Sequence, residues 1–119
     1  MSSRCRAALI YPALAIALAL PLMVGADPDK KAPEGSPGRG KRLFRTTAAC
    51  SGCHKAEGRG GKLGPDLSHI GSQREAEYIA AKIYNPKLGK PDTVMPAAST
   101  LGLTDRDVVD IAAYVANLK

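Results

Sequence analysis

The chain has 119 residues, a formal net charge of +6, one Phe and no Trp. That length holds one small domain, and so few large side chains leave its centre short of filling, a shortage that small domains usually meet with a disulfide, a metal or a cofactor. The basic balance comes without an aromatic platform or recognition motif, which argues against a nucleic-acid partner.

Residues 2–6 (Ser-Ser-Arg-Cys-Arg) carry two positive charges and no negative one, and an apolar run follows from Ala7 to Val24, broken only by Pro12 and Pro21. The run ends at Val24-Gly25-Ala26, small residues of the kind signal peptidase reads. A charged start, an apolar stretch and a small-residue exit together read as a secretory signal over residues 1–26. An uncleaved membrane anchor is the alternative, because the run approaches the length that spans a bilayer. Cys5 lies ahead of the apolar run, the wrong end for a lipoprotein cysteine, and is lost on cleavage.

Residues 27–41 are rich in Asp, Lys, Pro and Gly. The part over 27–36 reads as a flexible leader and 37–119 as one domain. A short helix is predicted from Pro37 or Gly40 to about Thr47, with Leu43 and Phe44 apolar.

The two cysteines left in the exported part stand in Cys50-Ser51-Gly52-Cys53-His54, the Cys-x-x-Cys-His spacing of c-type haem attachment. Two thiols three positions apart on one helical turn face the same side, so each can add to one vinyl group of the same porphyrin. His54 follows directly, placed to offer its imidazole to the iron. A large flat apolar haem would also supply the missing core. The rival chemistries are less well provided for. A redox dithiol wants a βαβ setting, and no convincing strands are legible. A structural zinc wants four ligands, and His69 is the only other histidine. A Cys50–Cys53 disulfide would close a very short loop and stabilise little.

Residues 57–66 form a glycine-rich loop. A firmer helix is predicted from Ser72, with Glu75 as its capping-box partner and Ala76, Ile79, Ala80 and Ile83 on one face. It should stop at Asn85-Pro86, since proline disfavours helix in the residue before it. A loop containing Met95-Pro96 runs from Lys87 to Gly102. The last helix is predicted from Thr104, with Asp107 as capping partner and an apolar stripe of Val108, Ile111, Val115 and Leu118 beside Ala112 and Tyr114.

Four elements in order, Gly40-Lys41-Arg42-Leu43-Phe44, Cys50-Ser51-Gly52-Cys53-His54, Gly64-Pro65-Asp66-Leu67 and Met95-Pro96 before the terminal helix, make residues 38–118 resemble the small bacterial class I, mono-haem cytochromes c. The resemblance implies an all-α fold of three to four short helices wrapped around one covalently bound haem c. It implies His54 and Met95 as the axial ligands of the iron, and a Pro65 carbonyl bonded to the other ring nitrogen of His54. It also implies Leu67, Ile79, Ile83 and Val94 as lining of the haem pocket, with Arg74 and Tyr78 as candidates for its propionates. Gly40 and Phe44 would lie where the first helix crosses the last, against Ile111 and Tyr114. A bis-histidine haem using His69 is the competing ligation.

The activity implied is single-electron transfer between redox proteins by a periplasmic, non-enzymatic carrier, either a monomer or a subunit of a complex, touching a membrane only if the N-terminal segment is retained. The alternatives are a fixed haem subunit of a larger periplasmic complex, as in sulfur-compound oxidation or a respiratory oxidase, and a haem sensor or enzyme in which Met95 gives way to a small ligand. Residues 27–62 hold nine Lys or Arg against four Asp or Glu, whereas residues 63–119 hold six against seven. Lys55, Arg59 and Lys62 directly follow the haem motif, an arrangement suited to docking on an acidic partner.

Overall fold

The computed structural model describes residues 34–119. The expected signal over 1–26 and most of the expected leader lie outside the described residues. Three α-helices, α1 (Pro37–Arg45), α2 (Ala76–Tyr84) and α3 (Asp105–Ala116), carry the fold. Two 3₁₀ turns, Cys50–Gly52 and Ile70–Ser72, and a hairpin of two-residue strands, β1 (Lys55–Ala56) and β2 (Arg59–Gly60), fill the connections. No helix among the described residues is long and apolar enough to cross a membrane.

α1 starts where Ser36 caps it, its side chain accepting from the Arg39 N–H, with Pro37 in the first turn, where the missing proline N–H costs nothing. Arg42 and Arg45 sit in its last turn, on the negative end of the helix dipole. Gly40 and Phe44, one turn apart, are its buried residues. They meet α3 as expected. A Cβ on Gly40 would fall 1.9 Å from the Asp110 carbonyl oxygen, so the two backbones touch there. The Phe44 and Tyr114 rings meet edge-on, 5.5 Å between centroids at 69°, an arrangement worth about 0.5–1.5 kcal/mol beyond its buried area.

α3 is the central element. Thr104 and Asp107 form the expected capping box, and Val108, Ile111, Ala112, Tyr114, Val115 and Leu118 are all buried. Burying side chains of the size of Val108 and Ile111 is worth about 1.5–3 kcal/mol each. Asp110 is also completely buried. It accepts from the Ser36 backbone N–H at 2.7 Å and from Arg39 at 2.6 Å, and Arg106 approaches at 3.2 Å. Arg39 reaches Asp107 as well. Ser36, the end of the stretch read as leader, is thereby fastened to the last helix.

α2 ends at Tyr84 as expected, with Asn85 out of the helical conformation (φ −132°, ψ 85°) before Pro86, but it begins four residues later than the sequence suggests. The predicted Ser72–Glu75 capping box does not form, because Ser72 closes the Ile70–Ser72 turn and Glu75 itself caps α2 without a side-chain bond. The cause is tertiary. Gly71 donates its N–H to the Leu118 carbonyl at 2.8 Å and lies hard against the Ala116 carbonyl, so the turn is pinned to the end of α3 and helix starts only beyond it. The hairpin was not legible either. Its turn, Glu57-Gly58, has φ of 49° and 76°, the doubly left-handed type I′ geometry that suits tight hairpins. Strands of two residues give no alternation to read.

Substituting Gly40 by Ala should lower stability by about 1–3 kcal/mol, by forcing α1 off α3. An unfolding midpoint equal to that of the unsubstituted protein would contradict the close crossing.

Burial pushes the Asp110 carboxyl up, but the Ser36 N–H and the Arg39 and Arg106 cations outweigh it and hold it below the usual range. Thr104, then Arg39, does the same for Asp107. A carboxyl lowered in the folded state contributes stability above its unfolded pKa of about 3.9 and loses it as pH falls through the lower folded value. Thermal stability should therefore hold through mildly acidic pH and fall below about pH 4, and Asp110→Asn should blunt that fall.

Candidate functional site

The site is built on the segment between α1 and the hairpin. After α1 the chain buries Ala48 and takes Ala49 into the left-handed region at φ 48°, which turns it into the Cys50–Gly52 turn. The N–H groups of Cys53 and His54 both bond the Cys50 carbonyl, at 3.1 and 2.9 Å. In a 3₁₀ turn, side chains three apart eclipse one another, so Cys50 and Cys53 share one face. Neither is joined to another cysteine among the described residues. Cys50 packs against the core, and burial pushes its thiol up to about 11. It is therefore protonated at neutral pH and a poor nucleophile until it is activated.

His54 Nδ1 lies 2.9 Å from the Pro65 carbonyl oxygen. A carbonyl can only accept, so Nδ1 carries the proton and Nε2 keeps its lone pair. The glycine-rich loop makes this contact by wrapping closely round the motif. The Gly64 N–H bonds the Cys53 carbonyl at 2.8 Å and the Gly61 N–H bonds the Ser51 carbonyl at 2.9 Å. A Cβ on Gly64 would fall 2.5 Å from His54 Cε1 and 2.7 Å from Nδ1, so only glycine lets the loop lie flat on the imidazole. Gly64 opens the Gly64-Pro65-Asp66-Leu67 stretch, yet its contact with the ring has no sequence signal beyond the local density of glycines.

The hairpin that follows is clamped to the helices by Glu57. Its carboxylate bonds Lys41 at 2.8 Å, Arg45 at 2.7 Å and the Tyr114 hydroxyl at 3.2 Å. The Lys41 bond is the main cause that holds the Glu57 carboxyl below its usual range. Sequence reading missed this residue altogether. Its partners lie 12 to 57 positions away.

Of the other expected site residues, Ile79 and Ile83 are buried in the core, with Leu67 and Met95 partly buried against it alongside Cys50. The Met95 N–H donates to Thr93 Oγ1 at 3.3 Å. Val94 is 79 % exposed. Arg74 and Tyr78 are exposed and engage each other, the guanidinium 4.8 Å from the ring centroid. His69 is exposed and lines a surface cleft of about 490 Å³ with Lys55, Asp66 and Asn117, apart from His54.

Among the described residues no group of three or more His, Cys, Asp or Glu is placed to hold a metal ion. The donors are instead two thiols on one face, an imidazole with its tautomer fixed, and a thioether at the edge of an apolar core. That set fits a covalently held porphyrin and is incomplete for zinc.

Comparison with known proteins agrees. The sequence pattern that defines the cytochrome c family matches residues 38–119. Cytochrome c-554(547) of Halothiobacillus neapolitanus is 29 % identical over 92 residues, covering 71 % of this chain and 99 % of that protein. Among solved structures, SoxXA from P. pantotrophus superposes with a TM-score of 0.63 at 21 % identity, over 71 % of this chain and 82 % of that one. The c-type cytochrome SorU from Sinorhizobium meliloti superposes with a TM-score of 0.53 at 26 % identity, over 69 % and 88 %. At such identities the first of these likenesses speaks for the fold alone.

Gly64→Ala should displace the His54 ring, cost about 1–3 kcal/mol of stability and shift the visible spectrum of the pigmented protein. An unaltered spectrum and melting midpoint would contradict the contact.

Proposed function

This chain belongs to the cytochrome c family, which binds haem c covalently and transports electrons, and on that premise we propose that it is an exported carrier of single electrons with His54 and Met95 as axial ligands. When bound, the haem supplies an iron that passes between ferric and ferrous states one electron at a time. Cys50 and Cys53 would hold the porphyrin through thioethers, so that it cannot dissociate.

The observation that carries the reading is the 2.9 Å contact between His54 Nδ1 and the Pro65 carbonyl. The bond leaves Nε2 as the ligating atom, stops the ring from rotating and makes it a stronger donor. The Met95 thioether is the soft, neutral partner that favours ferrous iron. Leu67, Ile79 and Ile83 would keep water from the ring. Arg74 and Tyr78 would meet the propionates by leaving their mutual contact.

The charge pattern supports a partner with an acidic face. Lys41 and Arg45 are occupied by Glu57, and Lys55 faces Asp66 at 4.0 Å. Arg59 and Lys62 are exposed, with no ion pair among the described residues. These two, next to the haem motif, are the charges free to steer an encounter.

Spectra of the natively matured protein test the reading. The reduced protein should show a sharp α band and the oxidised protein a weak band at the red edge. Met95→Ala should abolish the latter and lower the reduction potential by on the order of 0.1 V or more, within the ~0.8 V that axial ligands command. An unchanged spectrum would remove Met95 as the ligand. Cys50→Ala with Cys53→Ala should yield chain without covalent pigment, and a polypeptide mass still enlarged by haem would refute the attachment. Recovery of the protein free in the periplasmic fraction supports a shuttle, whereas copurification with a catalytic subunit identifies a fixed component.

A further inference from the structure

The loop that bears Met95 leaves α2 at Asn85 and joins α3 at Thr104. Among the described residues, the hydrogen bonds that tie this loop and its far end to α2 come from three consecutive residues of that helix. Lys82 Nζ donates to the Leu88 carbonyl, with the Pro86 carbonyl at 3.5 Å, which fixes the departing limb. The Ile83 carbonyl, one of the last-turn carbonyls that lack a helical partner, accepts from the Ala98 N–H at 2.8 Å. That bond fixes the returning limb three residues past Met95. The Tyr84 hydroxyl donates to Asp105 Oδ1 at 2.9 Å and so joins the end of α2 to the start of α3 across the mouth of the loop.

Within the loop, the segment around Met95 has few hydrogen bonds of its own, and Met95 itself rests against the core. Among the described residues, the N–H groups between Pro91 and Pro96 make two bonds, Thr93 to the Lys90 carbonyl at 3.2 Å and Met95 to Thr93 Oγ1 at 3.3 Å. Ala98 to Leu103, by contrast, is knit by three bonds of 3.0 to 3.3 Å into a compact turn. The Met95 segment is thus suspended between two anchored limbs, and both anchors lie on one helical turn. Successive helical residues point about 100° apart. Lys82 and Tyr84 can therefore reach opposite sides of the loop while the Ile83 carbonyl between them holds its returning limb.

We infer that Lys82 and Tyr84 are positioning residues for the distal ligand: by closing both ends of the loop, they set how readily Met95 gives up its place to another ligand. The inference rests on the reading of Met95 as that ligand. Neither residue hydrogen-bonds the methionine among the described residues; Lys82 acts through the loop carbonyls it fastens and Tyr84 through Asp105 at the start of α3.

The probe is imidazole added to the oxidised, natively matured full-length protein, with its displacement of the distal ligand followed by loss of the red-edge band. Tyr84→Phe and Lys82→Met should each speed displacement about tenfold, as expected for one lost hydrogen bond, while Lys82→Arg, which keeps a donor, should stay within about twofold. Lys87→Met is the control, an exposed lysine of the same loop with no side-chain bond among the described residues. Displacement at the unsubstituted rate in Tyr84→Phe and Lys82→Met, or an equal acceleration in Lys87→Met, would overturn the inference. Absence of the red-edge band from the unsubstituted protein would overturn the reading of Met95 and the clamp with it. Should Lys82→Met not fold, Tyr84→Phe decides alone, because it removes one hydroxyl from a side chain 44 % exposed.

Discussion

The backbone of α1 rests on the backbone of α3 at Gly40, and the remaining structure is organised around that contact. With no side chain between them, the helices come close enough for Phe44 to reach the Tyr114 ring and for Arg39 to reach Asp107 and Asp110. The same approach brings Lys41 and Arg45 to the side where Tyr114 offers its hydroxyl, and Glu57 joins all three. The haem motif lies between α1 and Glu57 in the chain. The crossing therefore fixes both ends of the segment that carries Cys50, Cys53 and His54.

What the sequence made legible was local chemistry with its own signature. The Cys-x-x-Cys-His spacing, the Thr104–Asp107 box and the stop at Asn85-Pro86 each follow from residues within a few positions of one another. What stayed hidden depends on distant partners. Ser72 and Glu75 have the spacing of a capping box, but Gly71 is held by the Leu118 carbonyl and the helix waits until Ala76. Glu57 reads as one more polar loop residue, and only the fold brings it to Lys41, Arg45 and Tyr114. Asp110 looks like an ordinary solvent-facing position of an amphipathic helix, yet it is buried because Ser36 and Arg39 come to it.

The two halves of the site are supported by different means. On the His54 side the support is contact: glycines bring backbone against the ring and the motif, and there is no slack for the imidazole to turn. On the Met95 side it is suspension, a loop whose limbs are tied and whose middle is sparsely bonded. On the ligation proposed above, His54 would be held by steric confinement and Met95 by its tethered loop and its packing on the core, which would make Met95 the more exchangeable of the two.

Glu57 shows how local and distant demands can oppose each other at a single position. Its φ of 49° belongs to a conformation that glycine or asparagine adopts more comfortably, so the turn taken alone would favour replacing it. The carboxylate that meets two cations and a phenol is what keeps it there. A drift toward the residue the turn prefers would ease the hairpin and at the same time unfasten the haem segment from both helices. A lineage optimised for the relaxed turn would have to rebuild that attachment elsewhere.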